Sequence, residues 1–407
     1  MRKYEHGGDV FAEESRMIDL SVNINPLGMP LSAAEAAQKA VREEISYPDP
    51  FCRKLTAALS ERYGLPAENI VCGNGASDLI LRLCAAVRPA RVYVPAPGFS
   101  EYARSAALFG AKALEYGIPG FDCGRSLAEL ITGSDDTDSR AAADDNDCSE
   151  IPAADDKNSN SRLAADDNDG KNSLAFPYDA IVFVCRPNNP DGSMMSLDEL
   201  RGIASACENN RCLLAVDECF LEFTDATSAL ALLDRHRNII VINAFTKTYA
   251  LAGLRLGFAF SADTVLLDEI YRFGIPWSVS SAAQAAGEAC CGEISFLAES
   301  RRYIAEERKR IISVVESLGL TVFPSEANFL LIKDDRDFAG ANESGKSMLQ
   351  DTDTPEKPAL REALELCGIK VRDCRSFSGL DDSFIRIGIS TKEENDVLIK
   401  ALEDIYG

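Results

Sequence analysis

The chain has 407 residues, 46% of them hydrophobic, and a formal net charge of −23. That length and apolar content support a large core shared by more than one domain, while the acidic balance argues against nonspecific binding to nucleic acid or anionic lipid. No apolar run approaches the roughly 20 residues needed to span a bilayer, and the opening Met1-Arg2-Lys3-Tyr4-Glu5-His6-Gly7-Gly8 lacks the apolar core of a signal peptide, so a cytoplasmic protein is expected.

In chain order, a helical pattern over residues 33–44 leads to Tyr47-Pro48-Asp49-Pro50. Short Val/Ile/Leu/Phe-rich runs at 70–72, 91–94, 180–184, 213–216, 239–242 and 256–260 then alternate with amphipathic stretches. Near-continuous apolar runs of this length suit a mostly parallel sheet covered on both faces. Residues 281–317 read as long helical segments, and runs at 320–323, 329–332 and 384–389 alternate with helix as a smaller α+β unit. The expected fold is therefore α/β. It divides into an N-terminal arm and helix over 1–45, a large domain over 46–275, and a linker helix with a small C-terminal domain over 276–407.

Two segments interrupt this pattern. Residues 131–171 hold 12 acidic and 4 basic side chains, and Ala-Ala-Asp-Asp recurs at 142, 153 and 164. So few large apolar residues cannot offset the entropy of ordering, and the eleven-residue period carries no apolar stripe. Residues 131–173 are expected to be a disordered, dispensable insertion, and 334–358 a smaller flexible one. The 13 cysteines are scattered without a CxxC pair and only 2 histidines exist, so reduced, buried thiols are expected and a zinc site is not.

The chemistry concentrates in three places. Lys247 follows the 239–242 run, with Arg255 eight residues later in a Gly-rich setting; an amine can form a Schiff base with an aldehyde cofactor, and a guanidinium can grip its phosphate. Asp217 ends the 213–216 run, and Arg186-Pro187-Asn188-Asn189-Pro190-Asp191-Gly192 follows the 180–184 run. Gly73-Asn74-Gly75-Ala76-Ser77-Asp78 stands between a strand and a helix, where backbone amides can face an anion. Taken one at a time, these readings compete with a strand-end aspartate, an Asn-Pro turn and an ordinary glycine turn.

Together, in this order and spacing, they resemble the fold-type I pyridoxal phosphate enzymes of the aspartate aminotransferase superfamily. The resemblance implies that Lys247 anchors the cofactor and that Asp217 keeps its ring nitrogen protonated. It further implies that Asn189 bonds the ring hydroxyl, that Phe99 stacks on the ring, and that Ala76, Ser77, Thr246 and Arg255 serve the phosphate. Tyr47 resembles the tyrosine that reaches the neighbouring subunit's cofactor, which implies a homodimer with shared sites. Two positions depart from the pattern: Phe220 replaces a common tyrosine, and Ala244 replaces a phosphate-binding serine or threonine.

The opening His6-Gly7-Gly8, the segment 19–28 and the segment 371–380 resemble the threonine-phosphate decarboxylase subfamily, with the histidinol-phosphate aminotransferases as near relatives. A small phosphorylated amino acid is the implied substrate, held by Arg372, Arg386, His6, Asn23 and Asn189. Decarboxylation and transamination both remain open at this level. A non-catalytic sensor is disfavoured, because no basic helix-turn-helix segment precedes Asp19.

Overall fold

In the computed structural model, residues 8, 17–121, 125–132, 176–335 and 358–407 are described. His6 and nearly all of both expected insertions fall outside them. The two insertion boundaries shift inward: Ile131 and Thr132 close a helix, and Ile131 is buried. Asp334 is buried as well, accepting the Tyr406 hydroxyl at 2.7 Å.

The chain opens with β1 (Ile18–Asp19), α1 (Leu31–Glu43) and α2 (Arg53–Tyr63). The large unit continues through β2 (Ile70–Gly73), α3 (Ala76–Val87), β3 (Arg91–Ala96), α4 (Glu101–Ala107), β4 (Lys112–Gly117) and α5 (Leu127–Thr132). After the gap come β5 (Ala180–Cys185), α6 (Leu197–Asn209), β6 (Cys212–Asp217), β7 (Ile239–Ala244), α7 (Phe245–Thr248), β8 (Gly257–Ser261) and α8 (Thr264–Arg272). Helices α9 (Ser281–Cys290) and α10 (Ile294–Ser317) lead to β9 (Thr321–Val322), β10 (Phe329–Lys333), α11 (Leu360–Leu366), β11 (Ile369–Lys370), β12 (Arg372–Asp373), β13 (Phe384–Gly388) and α12 (Lys392–Tyr406).

A seven-stranded sheet in the order β2-β8-β7-β6-β5-β3-β4 forms the large domain. It is parallel except for β8, which runs antiparallel to both neighbours. Strands β5 to β8 are buried at every position, as a sheet with both faces covered requires. The small domain is an antiparallel sheet, β12-β13-β10-β9, packed against α10 and α12. Helix α10 joins the two cores, with Leu297 in the large one and Ile304, Ile311 and Val315 in the small one. The domains also meet where Phe121 stacks on Phe323 (centroids 4.9 Å apart) and where the Ser378 hydroxyl donates to Glu115 at 2.7 Å. Among the described residues, no helix is long and apolar enough to cross a membrane.

The N-terminal region behaves differently from its expected division. Helix α1 does not pack on the small domain; it lies along α9, and Ala33 and Ala37 join the large core with Ala283 and Ala286. Its buried face is alanine alone, which suits close approach to the Ala/Gly face of α9 and would leave voids against the larger small-domain side chains. It is β1 that joins the small domain, pairing in parallel with β11. This close packing predicts that Ala33→Leu, at a fully buried position, lowers stability by about 1–3 kcal/mol through overpacking. Urea unfolding monitored by circular dichroism measures it; an unchanged midpoint would refute the tight α1–α9 contact.

Candidate active site

Register brings the site together. Cys185 pairs with Asp217, and Asp217 with Ile242, so the segments leaving β5, β6 and β7 emerge side by side at the carboxyl edge of the sheet, where open α/β sheets bind ligands. Those segments carry Asn189, Asp217 and Lys247.

Lys247 sits in the one-turn helix α7. Burial lowers its ammonium to about 8; Arg386 and Arg255 add to the drop, and Cys219 opposes it. Such an amine is substantially neutral in mildly basic solution and can attack a carbonyl. Asp217 is buried at the end of β6, where its carboxylate accepts the Tyr102 hydroxyl at 2.8 Å and the Cys219 N–H at 3.0 Å. Burial raises its pKa against the pull of those bonds, and no ion-pair cation supports it among the described residues. A cationic ring N–H is the counter-charge this carboxylate fits. Tyr102, which the sequence reading did not single out, stacks flat on Phe183 (4.7 Å, 9°) and edge-on to Phe99 (5.5 Å, 86°). Its position three residues after Phe99, opening α4, was the available signal.

Ala76 and Ser77 begin α3, behind Gly75 at φ +87. A Cβ on Gly75 would lie 2.6 Å from an Arg255 guanidinium nitrogen, and one on Gly257 would lie 2.5 Å and 2.7 Å from the backbone of Gly75 and Ala76. Two bare glycines thus let Arg255 and the α3 N-terminus converge on one small volume, a cradle suited to a phosphate. Arg255 itself holds a left-handed backbone (φ 62), a conformation costing roughly 1–3 kcal/mol that persists only where the surroundings impose it. Thr246 is buried one residue before Lys247. Ala244 is buried and donates its N–H to the Asn243 side chain at 2.7 Å. Phe220 packs edge-on against Phe329 (5.0 Å, 79°), so its ring serves the domain contact.

The second half of the site comes from the small domain. Arg386 on β13 stands directly opposite Arg372 on β12. The Arg386 guanidinium is 5% exposed and donates to the Asn189 side-chain oxygen and to the Ser21 carbonyl at 2.9 Å, while its Nε has no partner. Burial pulls it down to about 10; Arg372 adds to this and Cys374 opposes it. Arg372 reaches Ser376 at 2.7 Å over the Phe377 ring. Gly8 donates to the hydroxyl of Ser21 at 3.0 Å, the residue whose carbonyl Arg386 holds. Asn23 is buried on the same segment. Tyr47 is not brought to this site: it is 78% exposed and stacks on Trp277 (4.6 Å).

The family model for aminotransferase class I and II matches residues 15–122 and 153–402, and the chain belongs to that family. It is 28% identical to a threonine-phosphate decarboxylase of Salmonella typhimurium, over 98% of this chain and 96% of that protein. A histidinol-phosphate aminotransferase of Methanosarcina mazei is 31% identical, over 95% of this chain and 88% of that protein. The fold is similar to that of histidinol-phosphate aminotransferase from Sinorhizobium meliloti in complex with pyridoxal-5'-phosphate (TM-score 0.69, 21% identity, 95% of this chain and 89% of that one). The cofactor is pyridoxal 5'-phosphate.

Two outcomes follow from this geometry. Purified protein should be yellow, and borohydride should fix the cofactor on the peptide containing Lys247; label on another lysine would overturn the assignment. Gly257→Ala should weaken cofactor binding by about tenfold or more through the clash at Gly75 and Ala76, read by titration of the apoprotein. Binding at the original affinity would mean that the cradle is elsewhere.

Proposed function

We propose that the chain decarboxylates L-threonine O-3-phosphate to (R)-1-aminopropan-2-ol O-phosphate, a step of cobalamin biosynthesis. The observation that carries this reading is the arginine pair. Like charges directly opposite on neighbouring strands repel, and Arg386 is buried with no carboxylate ion-paired to it among the described residues. A dianionic phosphate relieves that repulsion, each charge-assisted contact contributing roughly 1.5–3 kcal/mol. The resemblance of the N-terminal opening and the decarboxylase relative support the same substrate.

The residue roles follow. Lys247 anchors the cofactor, Asp217 faces its ring nitrogen, and Asn189 faces its ring hydroxyl. Phe99 covers the ring, while Ala76, Ser77, Thr246 and Arg255 hold its phosphate. Bound pyridoxal phosphate supplies an electron sink conjugated to the substrate's Cα. Arg372, Arg386, Asn23 and His6 would grip the substrate phosphate and so orient the substrate for cleavage of its Cα–carboxylate bond, a reaction that would release carbon dioxide and leave Cα to take up a proton. The exposed Tyr47–Trp277 stack, with Ile45, Phe51, Tyr271 and Ile275 also exposed, supports a homodimer in which Tyr47 serves the partner's site. The enzyme is placed in the cytoplasm, with no nucleic acid or membrane partner.

The aminotransferase relative at 31% identity favours one second reading, amino transfer from histidinol phosphate. The deciding comparison offers O-phosphothreonine alone, then histidinol phosphate with 2-oxoglutarate. Carbon dioxide from the first supports decarboxylation; glutamate from the second without carbon dioxide from the first would replace it with transamination. Arg386→Ala or Arg372→Ala should cut kcat/KM by about tenfold to over a hundredfold while the cofactor spectrum survives.

A further inference from the structure

Asn25 is 2% exposed, lies outside every cofactor and substrate contact assigned above, and has all of its polar groups engaged. Its backbone N–H donates to the Lys247 carbonyl at 3.0 Å. Its side-chain amide donates to the Thr248 carbonyl at 2.7 Å and to the Ser300 hydroxyl at 2.8 Å. Its side-chain oxygen accepts the Leu27 N–H at 3.0 Å, and its carbonyl accepts the Gly28 N–H at 3.0 Å. Ser300 in turn donates to the Phe296 carbonyl at 2.7 Å, within α10.

The one-turn helix α7 needs such a partner. Four residues cannot satisfy their own terminal carbonyls; the Lys247 carbonyl otherwise receives the neighbouring Tyr249 N–H and a longer 3.3 Å bond from Ala250, both from within its own turn. Asn25 caps these carbonyls from a segment remote in sequence. The same segment touches the small domain at its other end: Arg386 donates to the Ser21 carbonyl at 2.9 Å, Gly388 to the Leu20 carbonyl at 2.7 Å, and Asn328 to the Asn23 carbonyl at 3.0 Å. Residues 20–25 therefore run from the buried arginine on β13 to the backbone under the lysine.

We propose that Asn25 is a positioning residue for Lys247, holding the α7 backbone so that the amine keeps its orientation and tying that orientation to the segment that meets Arg386. The proposal rests on Lys247 as the cofactor-anchoring amine, which borohydride labelling tests separately in the unmodified protein. Chemically, the side-chain donors matter more than the side-chain shape. Asn25→Asp keeps the volume and the Leu27 contact but turns a carboxylate oxygen toward the Thr248 carbonyl. Ser300→Ala removes one acceptor and leaves the Thr248 bond.

The experiment compares Asn25→Ala, Asn25→Asp and Ser300→Ala with the parent protein. Amide hydrogen exchange is followed over residues 245–256 in the cofactor-free protein. In the holoenzyme, the pH midpoint of the visible absorption change is measured, together with kcat and KM for whichever of the two phosphorylated substrates is turned over. The groups facing Lys247 (Arg386 on β13, Arg255 after α7, Cys219 after β6) are untouched, so in Asn25→Ala and Ser300→Ala a displaced midpoint reports the position of the amine; Asn25→Asp adds a charge of its own and is judged by exchange and kcat. Both Asn25 variants should show faster exchange in 245–256, a displaced midpoint, and a kcat lower by about tenfold with KM within about twofold. Ser300→Ala should show a smaller change of the same kind. A lower melting temperature with unchanged exchange, midpoint and kcat would assign Asn25 to packing alone and overturn the proposal. Should Asn25→Ala fail to fold, Ser300→Ala decides the matter by the same readouts and Asn25→Asp by exchange and kcat.

Discussion

Parallel register is the constraint on which the site depends. Because β5, β6 and β7 end level with one another, three chain segments separated by dozens of residues leave the sheet at one edge. Their strands are buried along their whole length, so slippage would force apolar side chains and unpaired backbone groups into the wrong environments. The cost of a register error in the core therefore fixes the relative positions of Asn189, Asp217 and Lys247 far more firmly than their own contacts could. The antiparallel β8 adds the fourth component, since its first residue, Gly257, presses against the start of α3 and brings Arg255 with it.

On that frame the protein concentrates charge where solvent is scarce. Arg386 lowers Lys247 and is itself buried without an ion-paired carboxylate, and Asp217 is buried without a cationic partner, both among the described residues. A buried charge lacking a counter-ion destabilises the fold by several kcal/mol even after relaxation, so this arrangement works against stability and for ligand binding. By contrast, Arg186–Glu218 (3.0 Å) and Arg62–Glu222 (2.7 Å) are buried ion pairs with additional hydrogen bonds. The distinction between paired and unsupported buried charges separates scaffold from site without reference to any family.

Much of this was legible in the sequence because it is local. The apolar runs became β2, β3, β5, β6, β7 and β8 within a residue or two, and the residues that follow their ends were the ones that converged. Strand β4 was not legible: Lys112 and Glu115 interrupt its apolar pattern, as suits an edge strand that pairs only with β3. The packing of α1 was missed for a different reason. An alanine face says that a helix is close to something but not to what, and only the matching small residues of α9 decide it. Asn25 and Tyr102 act across 223 and 115 residues of sequence, a separation that no motif spacing records.

The N-terminal arm now has a physical role that its sequence only hinted at. Strand β1 is two residues long and pairs with an equally short β11, too little backbone to hold a segment by itself. What holds residues 20–25 is side-chain and carbonyl bonding to β13, to Asn328 and to the lysine turn. The segment thus bonds to the small-domain sheet at one end and to the lysine turn at the other, so the two halves of the site are joined through a stretch of chain whose own strand pairing is too short to hold it.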